Sequence, residues 1–398
     1  MAPNFPGLWR TNYLNMLTPT LYSIIYISGI VSSTATPPSL PPPTGPYNVG
    51  VRKYTIEHLN THDPVAPNNV STAFLATIFY PTLQKHQGPL LPYLNPETAA
   101  SFEQSWNYTN GTLASITSTL QPNASILDPK ELAGKASQSL PTILFGPGGG
   151  GPPVEASTIL LSELASHGYA VIGLDHPFEQ PFIRYPNGTG VFGVDIDYGS
   201  GDLLTALYDM RVGDNAAFLS THLPALARGG ELPLSTANVG ALGYSLGGAA
   251  ALGSLQSEGG GLLVAGLNLD GTMWGAPALN SSAADVRRPS FLLGNEGHGG
   301  EDGGDYTWVS FPVWQTGPRW KMLVNGTSHH DFCDDAFWKT VQPGADQDTG
   351  TIEGLRMLKV LNAYVRAFFD FTVLGGREEG ILEGPDGEFP EVVVVDVS

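Results

Sequence analysis

The chain has 398 residues, 41% of them hydrophobic, which is enough for a sizeable buried core in one large domain or two small ones. Its 37 acidic residues outnumber 18 basic ones, and the resulting net charge of −19 repels polyanions. Nucleic acid is therefore excluded as an expected partner and anionic membranes are disfavoured, whereas neutral or zwitterionic lipid remains compatible. A single cysteine, Cys333, rules out an intramolecular disulfide.

The N-terminal segment carries a pattern typical of export. Residues 16–31 form an apolar run, Arg10 is the charged residue before it, and small residues follow it. This pattern predicts that residues 1–35 are a signal peptide. An uncleaved membrane anchor is the alternative, which Pro19 and Gly29 disfavour within so short a run.

Composition also suggests where the folded part begins and ends. Residues 36–46 are rich in proline, serine and threonine and predict a linker, and the folded domain is expected over residues 47–375. Within it, residues 82–139 are long and polar and predict a surface insertion, either a decorated loop or a partial cover of the pocket. The acidic residues 376–398 predict a solvated tail.

Asn-x-Ser/Thr sequons are unusually frequent. The chain has nineteen asparagines, and chance would place roughly two or three of them in such sequons. The excess predicts a secreted, N-glycosylated protein. The seven sequons begin at Asn69, Asn107, Asn110, Asn123, Asn187, Asn280 and Asn325.

Short β-branched or apolar runs alternate with helical patterns along most of the chain. This alternation predicts an α/β fold with a mostly parallel central sheet of about eight strands and helices on both faces. Strands are expected near 51–56, 73–80, 142–145, 170–174, 239–242, 263–269, 290–293 and 321–324. Helices are expected near 153–166, 203–222, 246–256 and 352–369.

A Gly-x-Ser-x-Gly pattern at residues 243–247 is the strongest sign of catalysis. Chance would give this pattern ~0.4 times in a chain with this glycine content, so its setting matters more than the match. An apolar strand pattern at 237–242 leads into it and small residues beginning at Gly248 leave it, as in a strand–turn–helix nucleophile elbow. Ser245 is therefore the predicted nucleophile.

A serine nucleophile needs an imidazole base and a carboxylate that orients it. Of nine histidines, the pair His329 and His330 follows the last predicted strand, where the base belongs in the order serine, acid, histidine. Only one of two successive side chains should face Ser245, and His329 is preferred. Asp270 ends a buried strand at the carboxyl edge of the sheet and is preferred as the acid over Glu296.

The oxyanion of an acyl-transfer transition state needs two backbone donors. Leu246, directly after the nucleophile, supplies one N–H, and the glycine loop at 146–151 is expected to supply the other. That loop lacks the lysine and hydroxyl residue of a phosphate-binding loop. No metal or cofactor is expected, although Glu301, Asp302 and Asp305 offer a cation site as an alternative to a solvated turn.

Aromatic residues near the predicted site are candidates for a substrate pocket. Trp274, Trp308 and Trp314 could line an apolar pocket, with packing in the core as the alternative for each. His176 lies on a loop and is a further candidate substrate neighbour.

Four segments together resemble the platelet-activating-factor acetylhydrolases of the plasma and isoform II type, including their fungal relatives. The resemblance spans roughly residues 141–337, and in that family the acid follows the strand after the elbow and the first histidine of the pair is catalytic. Its oxyanion loop reads His-Gly-x-Gly; carrying that position across makes Gly149 the second donor, although Pro147 stands where the histidine would be. The matching segments are 164–169 ahead of Asp175-His176, 243–248, 268–274 and 328–332.

The resemblance implies the α/β-hydrolase fold and hydrolysis of a short or oxidised sn-2 acyl ester of a phospholipid, with transient contact to a lipid surface. A cutinase-like or polyester hydrolase with the same three residues is the alternative, and a non-catalytic binding module on the same fold is the alternative of another class. The residues do not fix the leaving group or the oligomeric state.

Overall fold

The computed structural model describes residues 37–132, 138–230, 232–299, 304–345, 347–377 and 380–398. The predicted signal or anchor segment, residues 1–35, therefore lies outside the described residues. The predicted linker lies within them from residue 37 onward. Glu301 and Asp302 of the alternative cation site also lie outside them.

Fourteen strands are present in the described part of the chain, ten of them in one sheet. They are β1 (Asn48–Asn60), β2 (Ser71–Thr82), β3 (Leu91–Pro92), β4 (Thr117–Ser118), β5 (Gln121–Pro122), β6 (Leu140–Gly146), β7 (Ala170–Asp175), β8 (Phe182–Arg184), β9 (Gly190–Phe192), β10 (Leu234–Tyr244), β11 (Leu263–Leu269), β12 (Ser290–Asn295), β13 (Arg319–Val324) and β14 (Val392–Val397). The order in the large sheet is β14-β13-β12-β11-β10-β6-β7-β2-β1-β5.

The centre of this sheet is parallel, and antiparallel pairs flank it on both sides. Strands β7, β6, β10, β11, β12 and β13 run parallel to their neighbours within this group, while β2 joins β7 antiparallel and pairs with β1 in a long antiparallel ribbon. The eight predicted strands correspond to β1, β2, β6, β7 and β10–β13. Together with the surrounding helices this confirms the predicted α/β-hydrolase architecture.

The helices cover both faces of the sheet. They are α1 (Pro96–Ser105), α2 (Thr158–Ser166), α3 (Gly201–Ala217), α4 (Leu223–Arg228), α5 (Leu246–Ser254), α6 (Tyr306–Trp314), α7 (Asp335–Val341), α8 (Gly354–Thr372) and α9 (Gly380–Glu383). A π-helical turn, Phe218–His222, joins α3 to α4, so the predicted helix over 203–222 is one continuous rod with an altered end. None of the helices in the described ranges combines the length and apolar character needed to cross a membrane.

Alternating side chains of the central strands build a core on each face. In β6, Phe145 belongs to the cluster under α2 and α8, whereas Leu144 belongs to the cluster on the opposite face. In β7, Val171 and Ile172 divide in the same way. This period of two is what a sheet buried on both sides requires, and it explains why these strands read as continuous apolar runs.

The predicted acidic tail is wrong for its last residues. β14 pairs antiparallel with β13 and closes the edge of the large sheet, with Val392 opposite Val324. Its four successive valines fit a pleated strand, and acidic residues around them kept the segment from being recognised as one. The predicted linker is also partly wrong, because Leu40 is buried and its N–H donates to Thr117 O at 2.9 Å.

The insertion at 82–139 is a folded unit and not an open loop. Phe102 of α1 and Trp106 beyond it pack on Trp338 of α7, with ring centroids 5.2 and 5.8 Å apart. Trp106 also meets the His330 ring edge-on at 5.1 Å. The insertion thus buries its own apolar residues against the segment that follows His329, a non-local contact that local polarity does not predict.

Candidate active site

The elbow between β10 and α5 holds Ser245 in a strained backbone conformation. Its φ is 55° and its ψ is −125°, a combination that costs about 1–3 kcal/mol in an L-residue and places the side chain at the tip of the turn. Glycines make the turn possible: a Cβ on Gly243 would lie 2.1 Å from Gly247 O, and one on Gly247 would lie 2.1 Å from Gly146 O. The elbow therefore tolerates no larger residue at either position.

The structure brings Ser245, His329 and Asp270 together in a hydrogen-bonded chain. His329 Nε2 lies 2.9 Å from Ser245 Oγ, and His329 Nδ1 lies 2.7 Å from Asp270 Oδ2. The three residues come from the ends of β10, β11 and β13, which meet at the carboxyl edge of the parallel sheet. About a third of the His329 side chain is exposed, so an ester can reach the pair from solvent.

Asp270 is held in a tight turn after β11. Its φ is 56°, and Asn268 stabilises the turn by accepting from Gly271 N at 2.9 Å and donating to Gly271 O at 2.7 Å. A Cβ on Gly271 would lie 2.1 Å from Ser245 O, so the acid's turn packs directly on the elbow. The residues at 268–271 thus fix the acid relative to the nucleophile.

A second imidazole contacts the same carboxylate. His298 lies between two acids, with Nε2 3.3 Å from Asp270 Oδ1 and Nδ1 3.2 Å from Asp305 Oδ2. Its ring stacks on Trp308 at a centroid distance of 4.0 Å. Although burial opposes a charged ring, the two carboxylates raise the pKa of His298 to about 9. His298 therefore carries a positive charge at neutral pH.

The charge of His298 acts on Asp270 in return. Burial by itself favours the protonated acid, but the His298 cation and the hydrogen bonds from His298 and His329 lower the pKa of Asp270 well below its ordinary value. Asn295 adds donors, with its backbone N–H 2.5 Å from Oδ1 and its side-chain amide 2.8 Å from Oδ2. Asp270 is thus fully ionised wherever His329 is to serve as a base.

The other candidates for acid and base have structural partners of their own. His330 is buried and its Nδ1 lies 2.8 Å from Asp335 Oδ2. Asp175 accepts from Val154 N at 2.8 Å, and Glu296 accepts from Gly326 N at 2.7 Å. None of these three groups takes the place of His329 or Asp270 beside Ser245.

The glycine loop lies directly against the elbow. A Cβ on Gly149 would be 2.8 Å from Leu246 Cδ2, so the two predicted oxyanion donors are neighbours. Leu246 is the first residue of α5, where the N–H has no helical carbonyl to bond. The backbone N–H groups of Leu246 and Gly149 are therefore the candidate donors to an oxyanion formed on Ser245.

Two of the four candidate pocket residues, His176 and Trp308, are buried in the core, and Trp274 and Trp314 are half-buried. His176 binds Asp214 Oδ2 through Nδ1 at 2.9 Å, and Trp308 donates to Gly271 O at 2.7 Å beneath His298. Trp274 is half-buried and packs in the apolar cluster that contains Leu246. Hydrogen bonding explains the burial of His176, and ring stacking with hydrogen bonding explains that of Trp308. No local sequence pattern shows these contacts.

The possible metal ligands are occupied by other contacts. Asp305 caps α6 through Thr307 N at 2.9 Å and faces His298, so it is not a free acid in a solvated turn. His330, Cys333 and Asp335 place their ligand atoms within 4.8 Å of one another. Burial raises the pKa of the Cys333 thiol, which disfavours the thiolate that a metal requires.

Comparison with known proteins points to esterases. No family model matches the chain. A curated protein of Arthroderma benhamiae, described as a probable 1-alkyl-2-acetylglycerophosphocholine esterase, is 28% identical over 277 residues, which cover 65% of this chain and 67% of that protein. Among solved structures, a ferulic acid esterase from Streptomyces cinnamoneus superposes with a TM-score of 0.74 at 24% identity, over 90% of this chain and all of that one.

The solved structure confirms the α/β-hydrolase fold, and the two esterases together support a carboxylic ester hydrolase. The sequence motifs resemble those of the platelet-activating-factor acetylhydrolases, and the curated relative confirms this resemblance.

Proposed function

We propose that the chain hydrolyses small carboxylic esters through an acyl-enzyme on Ser245, with His329 as general base and Asp270 as the acid that orients it. The observation that carries this proposal is the continuous chain of contacts from Ser245 Oγ through His329 to Asp270, at 2.9 and 2.7 Å. A serine hydroxyl becomes a useful nucleophile only with such a base in reach.

Each half-reaction follows from these contacts. Asp270 holds the Nδ1–H of His329, so the Nε2 lone pair faces Ser245 and takes its proton as Oγ attacks the ester carbonyl carbon. The carbonyl oxygen becomes the oxyanion beside the N–H groups of Leu246 and Gly149. Collapse breaks the bond to the alcohol, which leaves with the proton from Nε2. Water then repeats the sequence on the acyl-enzyme and releases the acid.

For the substrate, we propose a short or oxidised acyl group at the sn-2 position of a phospholipid. The support is the curated relative, described as an esterase of 1-alkyl-2-acetylglycerophosphocholine. The surroundings of the nucleophile agree, because Leu246 and Ala249 of α5 pack tightly with Leu207 of α3. Space that is already filled with apolar side chains suits a short acyl chain better than a long one.

A chain-length series tests this substrate. Acetyl-phosphatidylcholine, long-chain phosphatidylcholine, p-nitrophenyl esters of increasing acyl length and a polyester film are compared with one enzyme preparation. We expect kcat/KM to fall steeply beyond short acyl chains. Preferred release from the film would favour the cutinase-like alternative.

A fluorophosphonate probe tests the nucleophile independently of the substrate. The wild type should be labelled, and Ser245→Ala should not. His329→Gln should lose several orders of magnitude in turnover because the base is gone. A folded wild type that remains unlabelled would favour the non-catalytic binding role.

We also propose transient contact with a lipid surface through α6. Tyr306, Val309 and Val313 are 59%, 45% and 72% exposed and share one face of this helix. The same helix carries the buried Trp308 next to His298, so the helix as a whole lies close to the acid. Sedimentation with phosphatidylcholine vesicles should fall when these three residues are changed to serine, while hydrolysis of a soluble ester is retained.

Export and N-glycosylation remain proposals. All seven sequon asparagines are exposed, as an oligosaccharide requires. Expression in a eukaryotic secretory host should place the protein in the medium with a mass that falls after treatment with an N-glycosidase. Retention in the membrane fraction would favour the uncleaved anchor.

A further inference from the structure

Three consecutive carbonyl groups of the glycine loop are bound by side chains from outside it. Arg211 of α3 donates to Pro147 O, and its second terminal nitrogen donates to Gly148 O at 2.9 Å. Tyr198 donates to Gly149 O at 2.9 Å. Every carbonyl over this stretch of the loop therefore has a fixed direction.

The arginine that binds the loop is itself immobilised. Its Nε lies 3.1 Å from both carboxylate oxygens of Glu179, and its terminal Nη2 lies 2.7 Å from one of them. Both side chains are at most 1% exposed. Such a pair is costly to bury and is retained only when its geometry satisfies both ions. Here the guanidinium satisfies a carboxylate and two main-chain carbonyls at once.

The direction of a carbonyl determines the direction of the following N–H. The peptide bonds of the loop are trans, so the C=O and N–H of one peptide unit point in opposite directions. Because Gly148 O points at Arg211, the N–H of Gly149 points away from it. The elbow lies next to Gly149, with Leu246 in van der Waals contact.

Electrostatics gives the pair a second effect. A Cβ on Gly149 would lie 3.5 Å from a Glu179 carboxylate oxygen, so this acid is close to the oxyanion donors. An uncompensated carboxylate there would oppose a developing negative charge. The Arg211 guanidinium compensates it at hydrogen-bond distance.

We infer that Arg211, held by Glu179, is a positioning residue that aims the N–H of Gly149 at the oxyanion, and that Tyr198 supports it by fixing the next peptide unit of the loop. In this role they stand in for the histidine that the His-Gly-x-Gly loop has and that Pro147 replaces here. The inference rests on the proposed acyl-transfer function. It differs from a purely structural role in that it predicts a specific loss of transition-state stabilisation.

The central experiment replaces the buried pair by apolar side chains, Arg211→Met with Glu179→Met, so that no unpaired ion is left. We expect kcat for p-nitrophenyl acetate to fall on the order of 100-fold while KM changes less than about threefold, because an oxyanion donor acts in the transition state. A trifluoromethyl ketone accepts Ser245 Oγ at its carbonyl carbon and forms an oxyanion. Its affinity should fall by the same factor as kcat.

Two further variants keep the test valid if the double variant folds poorly. Tyr198→Phe removes one hydroxyl and should lower kcat roughly fivefold to tenfold, a fraction of the effect of a whole donor. Arg211→Lys keeps the charge but cannot bind two carbonyls and a carboxylate together. Its unfolding free energy should therefore stay closer to that of the wild type than its kcat does. Arg184→Met with Glu97→Met, which removes a partly exposed pair of the same type, is the matched control and should leave kcat unchanged.

The outcomes separate this inference from the proposed function. If the folded variants keep wild-type kcat and ketone affinity, the positioning role is overturned while Ser245 labelling still supports the esterase. If KM rises and kcat does not fall, the pair acts in substrate binding and the inference is again wrong. A wild type that the fluorophosphonate fails to label defeats the proposed function itself.

Discussion

Buried charge is used in different ways on the two sides of Ser245. On the acid side, the His298 cation lies 3.3 Å from Asp270, the carboxylate that orients the base. On the oxyanion side, Arg211 and Glu179 neutralise each other and act on main-chain carbonyls. One arrangement tunes a protonation state, and the other fixes the direction of peptide groups.

This difference has a practical meaning for interpreting the site. Perturbed pKa values identify the acid side, where His298 and Asp270 both depart from their ordinary behaviour. The oxyanion side is identified instead by hydrogen bonds from side chains to the carbonyl oxygens of the glycine loop.

The largest loss of activity is expected on the acid side of Ser245. Asp270→Asn should lower kcat by about 10⁴-fold, because an amide favours the wrong tautomer of His329 and cannot stabilise its cation. Asp334→Asn is the matched control: this buried acid binds Tyr93 and the N-terminus of α2, and burial raises its pKa to about 7. Steady-state kinetics of both variants should show the loss only at residue 270. An equal loss in both would point to a folding defect.

The next largest loss of activity is expected on the oxyanion side, from a change in the backbone of the glycine loop. Gly150 has a φ of +57°, and a Cβ there would lie 2.5 Å from the Tyr198 hydroxyl. Gly150→Ala should push Tyr198 off Gly149 O and also shift the strained loop backbone that carries the Gly149 N–H, so kcat should fall up to about 100-fold, more than for Tyr198→Phe. Gly344→Ala has a similar backbone strain, at φ +85°, with nothing within 4 Å of the new Cβ. Gly344→Ala should lower the free energy of unfolding and leave kcat unchanged. Equal kcat values for the two variants would contradict the positioning role of Tyr198.

A smaller effect tests the cation beside Asp270. His298→Gln keeps a donor but removes the charge, and we expect kcat to fall roughly tenfold. The acid limb of the kcat/KM–pH profile should move to higher pH, because the His329 imidazolium no longer shares its carboxylate with a second cation. An unchanged profile would show that the charge of His298 is irrelevant to the base.

The same variant also tests the charge of His298 through the pH dependence of the free energy of unfolding. The pKa of His298 is raised on folding, to about 9, so its contribution is present below pH 6.5 and is lost as pH rises to 9. That contribution is at most about 3 kcal/mol. Denaturant unfolding of the wild type should show this loss between pH 6.5 and 9, and His298→Gln should not.

The smallest effect on activity is expected at His330. His330→Gln disturbs the buried bond to Asp335 and should cost roughly 1–3 kcal/mol of unfolding free energy. Turnover should change less than about twofold, since Ser245 contacts His329 and not its neighbour. A large loss of turnover in a folded variant would reverse the assignment of the base.

Features with local patterns were predictable from the sequence. The elbow was indicated by glycines whose absent side chains avoid contacts near 2.1 Å, and β11 was bounded at 263–269 as the structure has it. Asp270 and His329 were placed by their positions after parallel strands, because such ends meet at one edge of a sheet.

The missed features depend on tertiary contacts. Arg211 binds residues 63 and 64 positions away, and nothing in its own helix distinguishes it from a surface arginine. The position of His298 between Asp270 and Asp305 depends on stacking with Trp308, which no local pattern shows. β14 was hidden because its acidic neighbours resemble a solvated tail, whereas pairing with β13 decides its conformation.

The edge strand β14 bears on how the protein is handled. Ser398 exchanges main-chain hydrogen bonds with Arg319, at 2.9 and 3.0 Å, and the N–H of Asn325 donates to Glu391 O shortly before His329. Trimming the acidic end to aid crystallisation would strip a strand from the sheet and leave β13 open to self-association.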